Sequence, residues 1–341
     1  MLTDLARASV ALYDGAGAGF QRLGGLELAS TASTASGARE VQRRVEAAHE
    51  AGLQAQLLDP DALPAEVTGF VDASSVVAAG HFPEDGVTSP KVLTAALAER
   101  ARARGAHFTS GKVVGIDVAG PAGASERVRV HTRDGRTLSA LTVVLAGGVW
   151  GPHLAALTGL DLPLFPVAHP YTYSAPKTGL TSGPFVRWPE HHAYARVHGE
   201  RLGIGSYDHV PVPVEQADLT EGAGLAWRGD FDGVVDAAQR LLLPGARFTP
   251  QERVNGVFAM TPDNLPFLGP HPQLEGVWVA QALWVTHAAG AAERLVAAVL
   301  EDAPLPADLA VDRFGSASGS VEDLRRAALR LYRDIYANDR T

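Results

Sequence analysis

Apolar positions at the start of the chain recur at helical intervals. Leu2, Leu5, Ala6 and Leu12 share a face, the small Ser9 lies among them, and Asp14-Gly15 supplies a stop. A second amphipathic helix is expected over 36–51, with Val41, Val45 and Ala48 inward and Gly52 closing it. Residues 53–58 read as extended up to the Asp59-Pro60 break. Ser89 is a good N-cap and Pro90 a good first residue for a third helix, with Val92, Leu93, Ala96 and Leu97 inward and Gly105 at its end. The period then shortens to two. A strand is expected over 106–118, an alternating one over 127–132 before an Asp134-Gly135 turn, and a buried branched one over 141–145. Residues 218–244 read as helical, with Leu225, Val234, Val235, Leu241 and Leu242 inward.

Near the end, two short apolar runs at 257–260 and 278–283 predict a pair of adjacent strands, separated by Pro262-Asp263-Asn264 and the turn-rich 270–276. A helix follows on Ala288, Ala292, Leu295, Val296, Val299 and Leu300, with Gly290 in its first turn and Asp302 and Pro304 beyond it. Free amides at a small-residue helix start favour a ligand carbonyl or ring nitrogen that becomes anionic. A packed strand-helix unit accounts for the same pattern. Residues 315–319 read as linker, and 322–336 as a charged helix.

Composition narrows the possibilities. The chain has 341 residues, 46% hydrophobic and 20% charged, and carries 29 basic against 38 acidic residues for a net charge of −9. That balance, without basic runs or interleaved aromatics, excludes a nucleic-acid partner. The absence of cysteine removes disulfides, thiolate metal sites and thiol nucleophiles. No leader pattern and no long apolar run is present, so the expectation is a cytoplasmic protein without a membrane span.

Candidate chemistry concentrates in 162–207. By residue type alone, His169 reads as a satisfied strand histidine beside Pro170, and Tyr194 as a rim aromatic. Arg187, Arg196, His198, Arg201 and Tyr207 are lesser candidates for binding a carboxylate, with solvated hairpin charges as the simpler reading. His81, Glu84 and Asp85 sit in one turn but lack a further ligand, so no metal is expected. A dinucleotide unit requires a strand, a G-x-G-x-x-G turn and a helix. Gly15, Gly17 and Gly19 follow a helix in the wrong spacing, and Gly203 and Gly205 meet Asp208 where a third glycine is needed. Neither set qualifies.

Several stretches resemble the D-amino-acid oxidase superfamily of flavoproteins, in particular its branch of dimethylglycine oxidase, dimethylglycine dehydrogenase and sarcosine dehydrogenase. They are TPDNLPFLG and GVWVAQALWVTHAAG near the end, LPLFPVAHPYTYS from Leu162, HAYARVHGERLGIGSYDH from His192, and FQRLGGLELAST from Phe20. The resemblance implies FAD as cofactor, with Leu283, Trp284, Val285 and Thr286 against the isoalloxazine and the backbone of Val113 meeting the adenine. Ala146, Gly147, Gly148 and Trp150 match the family's A-G-x-W, where small residues let a dinucleotide pass; Gly147 departs from the usual alanine. It also implies that His169 and Tyr194 hold and deprotonate a substrate amine on the flavin face. The implied substrate is an N-methylated amino acid, dimethylglycine or sarcosine, oxidised to an iminium that releases formaldehyde or passes a one-carbon unit to folate.

The implied fold is α/β, an FAD-binding lobe interleaved with an antiparallel-sheet substrate lobe. Residues 1–19, 86–160 and 251–314 would build the flavin lobe, 20–85 and 161–250 the substrate lobe, and 315–341 a linker and terminal helix. The family pattern begins with a dinucleotide unit and, in longer members, continues into a folate domain. The expectation is therefore an N-terminal truncation of roughly 80 residues, the length of that unit and its connection, with residues 1–341 alone not retaining FAD. The alternative is a non-catalytic fragment or subunit that needs a separate nucleotide-binding or folate-binding chain.

Overall fold

Alternation along its strands gives the largest sheet of this protein one apolar face and one face of charged, phenolic and imidazole side chains. The computed structural model describes residues 1–341 apart from 18, 31–34, 119–127, 220–223, 316–317 and 337–341. Its helices are α1 (Leu2–Asp14), α2 (Ala35–Glu50), α3 (Ala65–Thr68), α4 (Pro90–Ala103), α5 (Gly151–Ala156), α6 (Asp230–Gln239), α7 (Ala288–Glu301) and α8 (Val321–Arg333). Strands β1 (Gly25–Ser30), β2 (Gln56–Leu58) and β3 (Val76–Phe82) precede a meander of β4 (Val113–Val118), β5 (Val128–Thr132) and β6 (Thr137–Ala140). After β7 (Val143–Leu145) come β8 (Phe165–Tyr173), β9 (Phe185–Trp188), β10 (Ala193–His198), β11 (Arg201–Ser206), β12 (Val212–Pro213), β13 (Glu252–Met260), β14 (Phe267–Pro270) and β15 (Val277–Gln281).

The large sheet has nine strands in the order β12-β8-β11-β10-β9-β1-β3-β2, with β13 also on β8. Two three-stranded sheets, β14-β15-β7 and β4-β5-β6, stand apart from it. In sequence the chain leaves the large sheet after β3, returns at β8 and leaves again after β13, so the mixed α/β fold is interleaved as expected. Among the described residues, no helix is long and apolar enough to cross a membrane, and no group of three or more metal-ligating side chains is placed to hold an ion.

Four local expectations are corrected. The run at 257–260 does not pair with that at 278–283: β13 runs antiparallel to β8 from Glu252 opposite Tyr173 to Met260 opposite Phe165, and β15 pairs instead with β14 and β7. Pro262-Asp263-Asn264 is thus a crossing between sheets, held by Arg313, which grips the Asp263 carboxylate at 2.8 Å. The helix expected over 218–244 is confined to α6; Leu225 forms a bridge to Asn255 and Leu242 one to Val71, so the backbone at both positions is extended and pairs with distant segments instead of continuing the helix. Strand β4 begins only at Val113; ahead of it the Arg136 guanidinium donates to the Thr109 hydroxyl and to the Ser110 carbonyl.

The fourth correction concerns Gly290. Its amide receives no ligand: it donates to Ser9 Oγ at 2.8 Å. A Cβ there would lie 2.3 Å from the Leu5 carbonyl oxygen and 3.0 Å from the Ala8 Cβ. Glycine is needed so that α1 and α7 approach closely, and Ser9 spans the contact. Gly290→Ala should therefore lower stability by about 1–3 kcal/mol, the usual range for overpacking, read as an earlier urea midpoint. An unchanged midpoint would mean that the two helices separate freely.

Candidate active site

The chemical face of the large sheet follows from period two. On β9 and β10, Val186, Trp188, Ala193, Ala195 and Val197 point into a core shared with Val235 and Ala238 of α6. Arg187, Tyr194, Arg196 and His198 are therefore directed to the other side, as Glu27 is between the core residues Leu26 and Leu28 of β1. On β11, Leu202 and Ile204 take the apolar side and leave Gly203 and Gly205 on the chemical one. A Cβ on Gly203 would lie 2.4 Å from Tyr171 Oη, and one on Gly205 2.7 Å from the Tyr194 ring. These glycines, the wrong spacing for a dinucleotide turn, let two phenol rings lie flat across a strand.

His169 lies on β8 opposite Gly256 of β13 and is 3% exposed. Its ring sits 4.5 Å from that of Tyr207 and 4.8 Å from that of Phe258. Nε2 is 2.8 Å from Tyr194 Oη, and Nδ1 is 2.8 Å from the hydroxyl of Tyr332 on α8. Burial pushes the imidazole down to about 3, with His209 a smaller contributor. The same desolvation drives the Tyr194 phenol well above its ordinary value, with Tyr207 adding to it. The couple is thus neutral on both sides, a hydroxyl against an imidazole in a site too dry to hold a lone charge.

Tyr194 and Arg196 face a cavity of about 450 Å³. Its other walls include Asp85 and Arg187, the loop residues Val285 and Thr286, Tyr13 of α1, and Tyr336 just beyond α8. Tyr13 donates to the Val285 carbonyl at 2.8 Å and so fixes that loop from the opposite helix. Among the described residues no carboxylate pairs with Arg196, whose Nε donates to His198 at 3.2 Å. Arg187 instead is held by Glu27 at 3.2 Å and Asp85 at 3.4 Å. His198, far from being a solvated hairpin charge, hydrogen-bonds Tyr171 Oη at 2.8 Å and is pushed down to about 3, first by burial and then by Arg196.

Of the residues matched to flavin contacts, only Val285 and Thr286 line this cavity. Leu283 packs in the cluster around Leu5 and Leu295. Trp284 packs edge-on against Phe258, 5.4 Å between ring centroids, and its indole donates to the Ala259 carbonyl. Val113 packs against the core of Ile116 and Leu145, away from the cavity. Ala146, Gly147, Gly148 and Trp150 leave the end of β7, which runs parallel to β15, so this segment and the 282–286 loop emerge at one sheet edge. Carboxyl ends of parallel strands are the usual ligand edge of α/β sheets. Ala146 is exposed there, and Gly148, at φ 57°, has open space where a side chain would stand. The side chain of Trp150 is turned aside, donating to the Leu219 carbonyl at 2.7 Å. At this edge the exposed Ala146 and the unobstructed Gly148 leave room for a dinucleotide to pass; the Gly290 amide, already taken by Ser9, does not serve it.

Reading by sequence missed Tyr13, Tyr332 and Tyr336, and weighed Asp85 only as a metal ligand. A signal existed for Tyr332 and Tyr336. Leu324, Ala328, Leu331, Tyr332, Ile335 and Tyr336 form an apolar stripe at helical spacing, and all pack into the cluster that holds Phe165, Val167 and Tyr207.

In fold the protein is similar to a solved L-proline dehydrogenase from P. horikoshii, with a TM-score of 0.78 at 22% identity over 91% of this chain and 82% of that one. The class is that mixed α/β fold, in which a broad sheet meets a smaller lobe across a cavity. The chain belongs to the DAO family of FAD-dependent oxidoreductases, which it matches over residues 1–298. It is 25% identical over 268 residues to mouse mitochondrial sarcosine dehydrogenase, covering 76% of this chain and 28% of that protein. To human mitochondrial dimethylglycine dehydrogenase it is 28% identical over 268 residues, covering 74% of this chain and 30% of that protein. The match thus spans under a third of these relatives. FAD is the cofactor of the family.

Proposed function

We propose that this protein oxidises the C–N bond of an N-methylated amino acid, of the dimethylglycine or sarcosine class, to an iminium. Hydrolysis then releases formaldehyde and the demethylated amine, or the one-carbon unit passes to folate. The reading is carried by the neutral Tyr194–His169 pair, 2.8 Å apart, at a cavity that also receives Arg196 from the same strand face.

An amine must be neutral before its α C–H electrons can leave, so the bound ammonium has to lose a proton first. Tyr194, at the cavity wall, is placed to take it while handing its own proton to His169 Nε2. Arg196 supplies a cation without a carboxylate partner among the described residues, suited to the substrate carboxylate two residues along the strand from Tyr194. FAD, when bound, accepts the two electrons. Val285 and Thr286 would hold its ring at the far wall, and Ala146, Gly147 and Gly148 would admit the rest at the parallel-strand edge, with Leu283, Trp284, Trp150 and Val113 supporting that surface from behind.

Comparing dimethylglycine, sarcosine and glycine as substrates of the FAD-loaded protein tests the substrate class. Turnover confined to the N-methylated compounds supports it, and equal turnover of glycine sinks it. Arg196→Gln should raise KM for the amino acid by roughly 10–100-fold with a smaller change in kcat, the effect of losing a charge-assisted contact made before and during reaction. An unchanged KM would assign the carboxylate to another group.

A further inference from the structure

His169 cannot store a proton. It is buried among aromatic rings, and the nitrogen that does not face Tyr194 faces Tyr332 rather than water. Tyr332 in turn is fully buried, yet its hydroxyl also lies 2.8 Å from Nε2 of His209, a half-buried residue beside the exposed Val210. The structure thus contains an unbroken series of hydrogen bonds from the cavity to the surface.

The direction of each proton follows from one carbonyl. His209 Nδ1 lies 2.9 Å from the Val210 oxygen, which can only accept, so Nδ1 carries the hydrogen and Nε2 presents its lone pair. Tyr332 then donates to His209 Nε2 and accepts from His169 Nδ1–H, which leaves His169 Nε2 to accept from Tyr194. The Ala168 carbonyl, 3.0 Å from Tyr332 Oη, is the competing acceptor for the Tyr332 proton. With that choice two lone pairs would face each other between Tyr332 and His209.

We propose that Tyr332 and His209 form the exit of a proton path running from Tyr194 through His169 to the surface, and that the substrate ammonium discharges through it. The proposal rests on the amine reading given above. The ammonium proton moves to the Tyr194 oxygen, the Tyr194 proton to His169 Nε2, the His169 Nδ1 proton to the Tyr332 oxygen, and the Tyr332 proton to His209 Nε2. No electrons move, and one positive charge is transferred from the amine to His209, where water takes the proton. The three intermediate groups are buried and stay neutral before and after; at His209 burial also holds the imidazole below its ordinary value, offset in part by the Val210 carbonyl, Asp230 and Asp208, so the half-buried end releases the proton and does not keep it.

Two variants test it in the FAD-loaded protein. Tyr332→Phe removes the hydroxyl, and His209→Gln keeps a hydrogen-bonding partner at the half-buried end but cannot pass a proton on. At neutral pH both should bleach the flavin with dimethylglycine roughly 10–100-fold more slowly than the parent, part of the usual worth of a positioned acid–base group. Near pH 10, where about half or more of the amine is already neutral, both should approach the parent rate. Parental rates for both at neutral pH, or equal slowing at either pH, would overturn the path, the second by showing a merely structural role. Nitrogen NMR of the imidazoles separates this from the amine reading. The path requires Nδ1–H on both His169 and His209 in the parent, with His169 moving to Nε2–H in Tyr332→Phe. If the parent does not oxidise N-methyl amines but shows these tautomers, the amine reading falls and the path stands; Nε2–H on His169 in the parent overturns the path whatever the substrate.

Discussion

In the FAD-loaded protein, replacing His169 by alanine is expected to slow flavin reduction by an N-methylated amino acid by roughly 10²–10⁴-fold, the range for loss of a positioned general base, while FAD remains bound. Among the described residues the imidazole is the acceptor for the Tyr194 hydroxyl, and Tyr194 is the member of the pair that faces the cavity. Without it the phenol has no route for its proton, because burial makes a phenolate there costly. Retention of FAD is expected because His169 is not among the residues proposed to hold the flavin, Val285 and Thr286. The Tyr194 hydroxyl loses its acceptor, while the Tyr332 hydroxyl keeps His209 and the Ala168 carbonyl, so the variant should also lose about 1–3 kcal/mol of stability and must be compared while still folded. Stopped-flow bleaching of the flavin under single-turnover conditions reads the effect. A variant that bleaches at the parent rate would remove His169 from the chemistry, and one that purifies without FAD would make it part of the cofactor site.

Glu27→Ala should produce the largest loss of stability of the substitutions considered, about 3 kcal/mol, near the low end for breaking a buried ion pair. Glu27 is 4% exposed and accepts from Arg44 at 3.0 Å and from Arg187 at 3.2 Å, tying β1 to α2 and to β9. The lower end is chosen because neither arginine is stranded: Arg44 keeps Glu40 at 2.8 Å and Arg187 keeps Asp85 at 3.4 Å. Arg187 is also partly open to the cavity, where solvent screens it. Glu27→Gln, which keeps the shape and some hydrogen bonding, should lose less. Urea unfolding of the two variants checks both statements, and a Glu27→Ala midpoint equal to that of the parent would show that the arginines need no third carboxylate. Since Arg187 borders the cavity, a shift in KM in parallel with the stability loss is the expected secondary sign.

Local sequence determined much about this protein. The helical spacing of Leu2, Leu5 and Ser9, the start of α4 at Pro90 and the small-residue helix α7 all follow from patterns a few residues long. On β10, Ala193, Ala195 and Val197 alternate with Tyr194, Arg196 and His198, a period of two that gives one apolar and one polar face without showing that the polar face borders a cavity. Family wording singled out His169 and Tyr194 and named FAD. What the sequence could not supply was the partner of each pattern. Whether β13 lies against β15 or against β8 depends on contacts across some ninety residues of chain, and the apolar runs are compatible with either pairing. Gly290 looks the same in sequence whether a ligand or a helix approaches it; only the position of Leu5 and Ser9 shows that the helix does. The same holds for the site. Tyr332 stands 163 residues from His169, in a helix that reads simply as amphipathic, and becomes chemically significant because α8 packs on β8 and brings a hydroxyl within 2.8 Å of a buried imidazole. Burial and hydrogen-bond partnership set the properties of that imidazole, and both are created by residues distant in the chain, so they exist only once the tertiary structure has formed.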